Sequence, residues 1–233
     1  FDINSHPFKI YLEIRKSIKP DFGYYLNIGQ HYILSFSPEE FFHTKGNIIK
    51  TYPMKGTKSR GSSKEEDQLL KDELKNSTKD KAEHLMIVDL LRNDIGKICK
   101  YETVKVKELF KVNSYPTIHQ MVSCVYGTLK DKITHIDILK ALHPGGSITG
   151  APKESSMKII DQLENYNRGI YTGSIGFIDD IGDMHFNMAI RTLSVYNKTA
   201  QYGVGGGIVW RSDHQDEWDE AQLKSKILQD YIN

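Results

Sequence analysis

Hydrophobic and polar positions follow two rhythms along this chain. Over Phe8–Ile18, the residues Ile10, Tyr11, Ile14 and Ile18 recur at helical spacing, which predicts a short amphipathic helix. Gly23–Ile28 and His31–Phe36 read as strands paired across Gly29-Gln30, and Asn47–Thr51 as a further short strand. Ser63-Lys64-Glu65-Glu66 has the pattern of a capping box and opens a charged helix. Ser77 caps a second helix through Glu83, Leu85, Met86, Val88 and Leu91, with Gly96 as its predicted stop. Val122–Leu129 reads as a strand. Pro144–Pro152 is a small-residue loop, and Pro152 sits in the first turn of a helix reaching Leu163.

The strongest extended signal is Met184–Val195, where Met184, Phe186, Met188 and Ile190 alternate with His185, Asn187, Ala189 and Arg191. Gly182 marks the hairpin turn before it. Tyr202–Trp210 reads as a strand interrupted by glycines, and Ser212 with Gln215 caps a last helix ending at Tyr231. Interleaved helices with frequent hairpins predict an α+β fold of mixed, largely antiparallel sheets with packed helices. No repeat or linker divides it, so the expectation is one domain over residues 1–233.

Composition narrows the function classes. The chain is 39% hydrophobic and 26% charged with a formal net charge of +1, which disfavours a nucleic-acid binder relying on a basic surface. No apolar run approaches the roughly 20 residues of a membrane span. Phe1–Lys9 does not have the form of a signal peptide. Cys99 and Cys124 form neither a disulfide framework nor a zinc spacing, and read as buried thiols of a cytoplasmic protein. The chain opens on Phe1 rather than Met, so a piece of a longer chain is expected.

Candidate chemistry is scattered. Glu217, Glu220 and Lys224 fall at i, i+3 and i+7, on one face of the last helix. Paired carboxylates suit magnesium, an oxygen-seeking cation, but from spacing alone a solvated helix face outweighs that reading. Glu83 is a further acid beside apolar neighbours. Gly205-Gly206-Gly207 is no dinucleotide fingerprint if Ile208-Val209-Trp210 continues the strand. The run either lets a ligand approach the backbone or forms a bulge. Arg191 could fork onto a carboxylate ligand, or serve as a surface cation or in a structural ion pair. His119, a lone histidine, is more often structural than catalytic. Lys55 lies in Pro53-Met54-Lys55-Gly56-Thr57, with a constrained backbone on both sides; a lysine is nucleophilic only when neutral, and a loop lysine is usually solvated.

Taken together, these stretches resemble the chorismate-binding family of anthranilate synthase component I, aminodeoxychorismate synthase component I and the isochorismate and salicylate synthases. The resemblance runs in order through SPEEFF from Ser37, PMKGTKSRG from Pro53, AEHLMIVDLLRNDIG from Ala82 and SYPTIHQMVSCV from Ser114. It continues through HPGGSITGAPK from His143, IYTGSIGFID from Ile170, MAIRTLSV from Met188 and VGGGIVWRSD from Val204. It implies that Glu83, Glu217 and Glu220 hold magnesium, some through water. It implies that Glu39 is the general acid assisting loss of the ring hydroxyl and that His119 lies beside that hydroxyl. Gly56, Thr57, Ser147, Tyr171, Arg191, Gly205, Gly206, Gly207 and Lys224 would line the chorismate pocket. Ser147 replaces the Thr of several relatives and keeps the hydroxyl.

Lys55 selects among the family's branches. Anthranilate, isochorismate and salicylate synthases typically carry alanine in Pro-x-Ala-Gly-Thr, whereas the aminodeoxychorismate synthases carry lysine, as here. The resemblance therefore implies amination of chorismate at carbon 4 through a covalent lysine intermediate. A glutamine amidotransferase subunit would supply the ammonia. It also implies an N-terminal strand before Phe1, bearing Gln in aminating members and Lys in water-adding ones. The rival readings are anthranilate synthase, a catalytically silent anion-binding paralogue and, more weakly, a nucleotide-binding protein.

Overall fold

The computed structural model describes residues 1–116, 118–210 and 212–229, the last three as backbone only. Thr117 and Arg211 of the quoted motifs, and the predicted helix end at Tyr231, lie outside the described residues. The chain forms two compact units, each assembled from separated stretches: Phe1–Glu40, Tyr166–Ile175 and Asn187–Asn233 in the first, Phe41–Asn165 and Gly176–Phe186 in the second. The crossings fall inside otherwise ordinary sequence, which is why no linker signals them. The fold is α+β with antiparallel pairing, as expected.

The first unit holds a four-stranded sheet, β1(Phe22–Ile28)-β2(His31–Ser37)-β10(Thr192–Tyr196)-β11(Thr199–Tyr202). Helix α1, Pro7–Ile18, lays Ile10, Tyr11 and Ile14 on Leu34, Phe36, Leu193 and Val195 of that sheet. Ile33, pointing the other way, packs with Ile175 and Ala189. β2 is thus buried on both faces, so it reads as a continuous apolar run rather than an alternation. Helix α6, His214–Gln229, closes the described part of this unit.

The second unit is built on strands ordered β5(Met54–Ser59)-β7(Ile118–Thr128)-β4(Ile48–Thr51)-β3(Glu40–Lys45)-β9(Met184–Met188)-β8(Ser174–Ile178), with β6(Lys105–Ser114) also paired to β7. Helices α2, Lys64–Asn76, and α3, Thr78–Ile98, pack on β5, β6 and β7. Leu74, Ile87, Val88, Leu91 and Ile95 supply their buried face. Helices α4, His135–Leu142, and α5, Lys153–Leu163, complete it.

Several expectations are corrected. Met184–Val195 is not one strand: it breaks at Ala189–Arg191, where Arg191 has φ +48°, and the chain passes from the strand order of β9 to that of β10. The strand predicted over Tyr202–Trp210 ends at Tyr202, and residues 203–209 have no regular structure. Gly96 does not stop α3, which continues to Ile98, because the glycine faces open space and costs only about 1 kcal/mol of helix propensity. Ser63 caps α2 through Glu66 N–H, but the Glu66 carboxylate accepts from Ser62 N–H and not from the capping residue, so the box is half formed. The cap of α6 is Asp213, whose carboxylate accepts from Gln215 and Asp216 N–H, and not Ser212. Strands β3, β5, β6 and β8 and helix α4 went unpredicted. Among the described residues no helix is long and apolar enough to cross a membrane.

Candidate active site

In the first unit the glycine run is the meeting point. A side chain at Gly203 would fall 2.3 Å from the Tyr171 ring, and one at Gly205 would fall 2.9 Å from the Tyr171 hydroxyl. Bare backbone is therefore what lets Tyr171 lie against residues 203–205. Lys224 of α6 donates to the Gly205 carbonyl at 3.0 Å and also pairs with Glu220, one helical turn back. Tyr202 donates to the Lys224 carbonyl at 3.3 Å, tying the end of β11 to the same helix. Gly206 and Gly207 are exposed.

Arg191 sits in the break between β9 and β10, its carbonyl accepting from Phe36 N–H at 2.9 Å. Its side chain is half-buried, not turned outward to bulk water as a surface cation. Burial pushes the guanidinium below its ordinary value, and Tyr202 opposes that shift. The Tyr202 phenol is pushed up to about 12 by burial, with Arg191 opposing and Tyr171 adding to the rise. A desolvated guanidinium beside a phenol that stays protonated is suited to an anion with a planar carboxylate. Tyr202 is a residue the sequence reading did not single out; its apolar strand context masked it. The left-handed backbone at Arg191 costs about 1–2 kcal/mol, strain of a kind that clusters at functional positions.

Glu217 and Glu220 share one face of α6. A side chain at Gly206 would fall 2.9 Å from Glu217 Oε2 and 3.5 Å from Glu220 Oε1, so the missing side chain keeps the space beside both carboxylates clear. Glu217 also accepts from the Ser212 hydroxyl at 2.6 Å. Two hard oxygen donors beside an open backbone fit magnesium, which keeps much of its water shell and needs few protein ligands. Among the described residues, no group of three acid, imidazole or thiol side chains is gathered as a ready-made metal cage. Glu39, also in this unit, has its main chain fixed by Ser37: Glu39 N–H donates to the Ser37 hydroxyl at 3.2 Å.

The second unit carries Lys55, Gly56, Thr57, Glu83, His119 and Ser147. β5 pairs with β7 at Met54↔Val122 and Thr57↔Gln120, and the register shifts in between, so Lys55 and Gly56 form a β-bulge. Gly56 has φ +81°, and a side chain there would meet Asp80 Cβ at 3.0 Å and Leu74 Cδ1 at 3.1 Å. Lys55 is half-buried, and its ammonium makes no hydrogen bond or ion pair among the described residues. Other lysines of this unit are committed: Lys58 pairs with Glu73 at 3.1 Å, and Lys153 with buried Asp94 at 2.5 Å. Thr57 is exposed, and Glu83 and Ser147 are half-buried.

His119 is completely buried and both ring nitrogens are engaged: Nδ1 with the Ser114 hydroxyl and Nε2 with Asp67 Oδ1, each at 2.9 Å. Arg60 grips Asp67 with two hydrogen bonds of 2.7 Å and donates to the Tyr115 carbonyl at 2.6 Å. Those Arg60 bonds, then the Gly61 N–H, hold the Asp67 carboxyl well below the usual carboxylate range. Beside Lys55 lies His84, also completely buried, with Nε2 2.7 Å from the Ser123 hydroxyl. Burial lowers its pKa to about 4, and the Lys55 ammonium works in the same direction. Arg60, Asp67, His84 and Ser123 were invisible in the sequence as site residues, since their spacing matches ordinary charged or core positions.

Comparison with known proteins places these motifs. A model of the chorismate binding enzyme family matches residues 1–230. The chain is 44% identical over 226 residues to anthranilate synthase component 1 of Saccharolobus solfataricus, covering 97% of this chain and 54% of that protein. It is 46% identical over 221 residues to a probable chloroplastic aminodeoxychorismate synthase of Oryza sativa subsp. japonica, covering 94% of this chain and 25% of that protein. Among solved structures, anthranilate synthase component I of Streptococcus pneumoniae superposes with a TM-score of 0.89 at 35% identity, over 98% of this chain and 51% of that one. The chain thus spans from a quarter to about half the length of these relatives. With the motifs in order, the antiparallel α+β fold shared and the family model matching residues 1–230, the chain belongs to the chorismate binding enzyme family.

Proposed function

We propose that this chain is the chorismate-aminating part of an aminodeoxychorismate synthase, the component that converts chorismate and ammonia to 4-amino-4-deoxychorismate. The observation that carries this reading is Lys55: a half-buried lysine set on a β-bulge, with no carboxylate partner among the described residues, where branches adding directly at carbon 2 carry alanine. The neutral Lys55 amine attacks carbon 2 of chorismate. The ring double bonds shift and the carbon 4 hydroxyl departs as water with a proton from Glu39, leaving Lys55 bonded to carbon 2 as a secondary ammonium. Ammonia then adds at carbon 4, becoming the product ammonium, and the double bonds shift back. The lysine nitrogen leaves as the neutral amine, restoring the free side chain.

Binding falls to the other residues. Arg191, with Tyr202 and Tyr171, suits one substrate carboxylate, and the backbone of Gly205–Gly207 with Lys224 suits anionic groups. Glu217 and Glu220 would hold magnesium, whose chemistry when bound is to neutralise carboxylate charge. His119, with both ring nitrogens bonded internally, serves in this reading as an orienting group. A glutamine amidotransferase subunit is the proposed source of ammonia.

Anthranilate synthase is the second reading, favoured by the likeness to the Saccharolobus solfataricus and Streptococcus pneumoniae proteins, each an anthranilate synthase component I. Product analysis separates the two. Full-length protein given chorismate, magnesium and an ammonium salt is expected to form 4-amino-4-deoxychorismate, and formation of anthranilate would refute the proposal. Lys55→Ala should abolish amination while chorismate still binds. An alanine variant that aminates at the wild-type rate would reduce Lys55 to a positioning residue.

A further inference from the structure

Two irregularities in the second unit face one short stretch of β7. β5 shifts register between Met54 and Thr57, opposite Val122 and Gln120. β6 shifts between Lys107 and Lys111, opposite Cys124 and Val122, with φ of +56° at Glu108 and +61° at Phe110. Left-handed backbone at two such residues is strained, and such strain persists only where the surroundings impose it. Ser123 lies opposite the β6 bulge, between Cys124 and Val122, and its N–H donates to the Pro53 carbonyl beside β5 at 3.3 Å. Its hydroxyl accepts from Phe110 N–H at 3.1 Å and lies 2.7 Å from His84 Nε2, while the Phe110 and His84 rings meet edge to face at 5.8 Å.

The protons in this cluster can be assigned. The Ser123 oxygen already receives one N–H, and its own proton has one acceptor among the described residues, His84 Nε2. The opposite tautomer, with Nε2 protonated, would leave a buried hydroxyl proton without an acceptor. Nε2 is therefore the unprotonated nitrogen and Nδ1 carries the hydrogen. Nδ1 is buried and makes no hydrogen bond in this conformation. The main chain that faces the ring is that of Lys55.

We propose that His84 is a positioning residue for Lys55: Ser123 holds the imidazole in its Nδ1–H form, and that donor anchors the Lys55 carbonyl and sets the bulge carrying the nucleophile. This deepens the amination reading and rests on it for its kinetic consequence. Hydrogen bonds that orient a reacting group are often long in the free enzyme and tighten with substrate bound.

Two conservative variants separate this from a packing role. His84→Asn keeps a donor near the Nδ1 position, and His84→Gln keeps one near Nε2. In full-length enzyme deprived of ammonia, acid-quenched wild type should show a mass increase of chorismate minus water on the Lys55 peptide. His84→Gln should slow its formation roughly 10–100-fold with chorismate affinity unchanged, and His84→Asn should stay near wild type. Equal impairment of both variants, or none in His84→Gln, would overturn the proposal. Absence of adduct in the wild type would count against the covalent role of Lys55. The His84 assignment would then be decided by 15N NMR of histidine-labelled protein. A protonated Nδ1 supports it, lost or mixed in Ser123→Ala; a protonated Nε2 in the wild type overturns it.

Discussion

Gly56 and Gly96 allow a prediction of opposite sign from one substitution, alanine, in the same unit. At Gly56 the backbone has φ +81°, where an L side chain costs about 1–2 kcal/mol. The new methyl would sit 3.0 Å from Asp80 Cβ and 3.1 Å from Leu74 Cδ1. Leu74 is completely buried and cannot swing aside, so overpacking adds about 1–3 kcal/mol. The lower entropy of the unfolded chain offsets about 0.4–1 kcal/mol. Gly56→Ala should therefore destabilise by about 2–3 kcal/mol. At Gly96, inside α3, a methyl meets nothing within 4 Å, so Gly96→Ala should stabilise by about 0.5–1 kcal/mol through helix propensity alone. Urea unfolding followed by far-UV circular dichroism reads both, with Gly56→Ala moving the midpoint down on the order of 1 M and Gly96→Ala moving it up. Midpoint shifts of the same sign, or Gly56→Ala within about 0.5 kcal/mol of wild type, would refute the bulge geometry assigned to the Lys55 motif.

Asp94 is buried beneath Lys153 and Lys97, and Asp94→Ala, which strips the partner from partly buried Lys153, should cost about 3 kcal/mol in the same assay. His84 has a folded-state pKa of about 4 against an ordinary 6.5, so its stabilising contribution is complete above pH 6.5 and is lost as pH falls toward 4. The stability gap between wild type and His84→Asn should accordingly narrow by roughly 3 kcal/mol across that window, and a gap independent of pH would contradict the burial assigned to the ring. Asp67 has its folded-state pKa depressed below the ordinary 3.8, so the stability it contributes is present above that value and lost as pH falls below it. Asp67→Asn should flatten the acid limb of the unfolding curve in that range. Arg191→Gln should raise KM for chorismate about 10–100-fold with circular dichroism unchanged, and an unaltered KM would remove Arg191 from carboxylate binding.

Local elements were legible wherever one residue pattern decided one local structure. Ile10, Tyr11 and Ile14 announce α1, and Gly29-Gln30 announces the β1–β2 turn, because each depends only on neighbours in sequence. β5 was hidden because its one conspicuous feature is a bulge, and β6 because positive φ at Glu108 and Phe110 interrupts its alternation. Met184–Val195 looked like one strand because apolar alternation is the same in either sheet; the break at Arg191 reflects a change of pairing partner, from the order around β9 to that around β2.

The sequence by itself determined the α+β class, the family motifs and the residue types on which the proposed chemistry depends, since side-chain identity at Lys55, Glu39 and Arg191 is written directly in the chain. Only the tertiary structure decided what surrounds them. Arg191 meets Tyr202 because β10 and β11 are adjacent strands, and Tyr171 lies on Gly203 because glycine leaves the backbone bare. His119 has both nitrogens committed because α2 brings in Asp67 and β6 brings in Ser114. His84 reaches Ser123, 39 residues away, because α3 packs on β7. Proton placement, burial and hydrogen-bond partnership depend on groups distant in sequence, and periodicity carries no record of them.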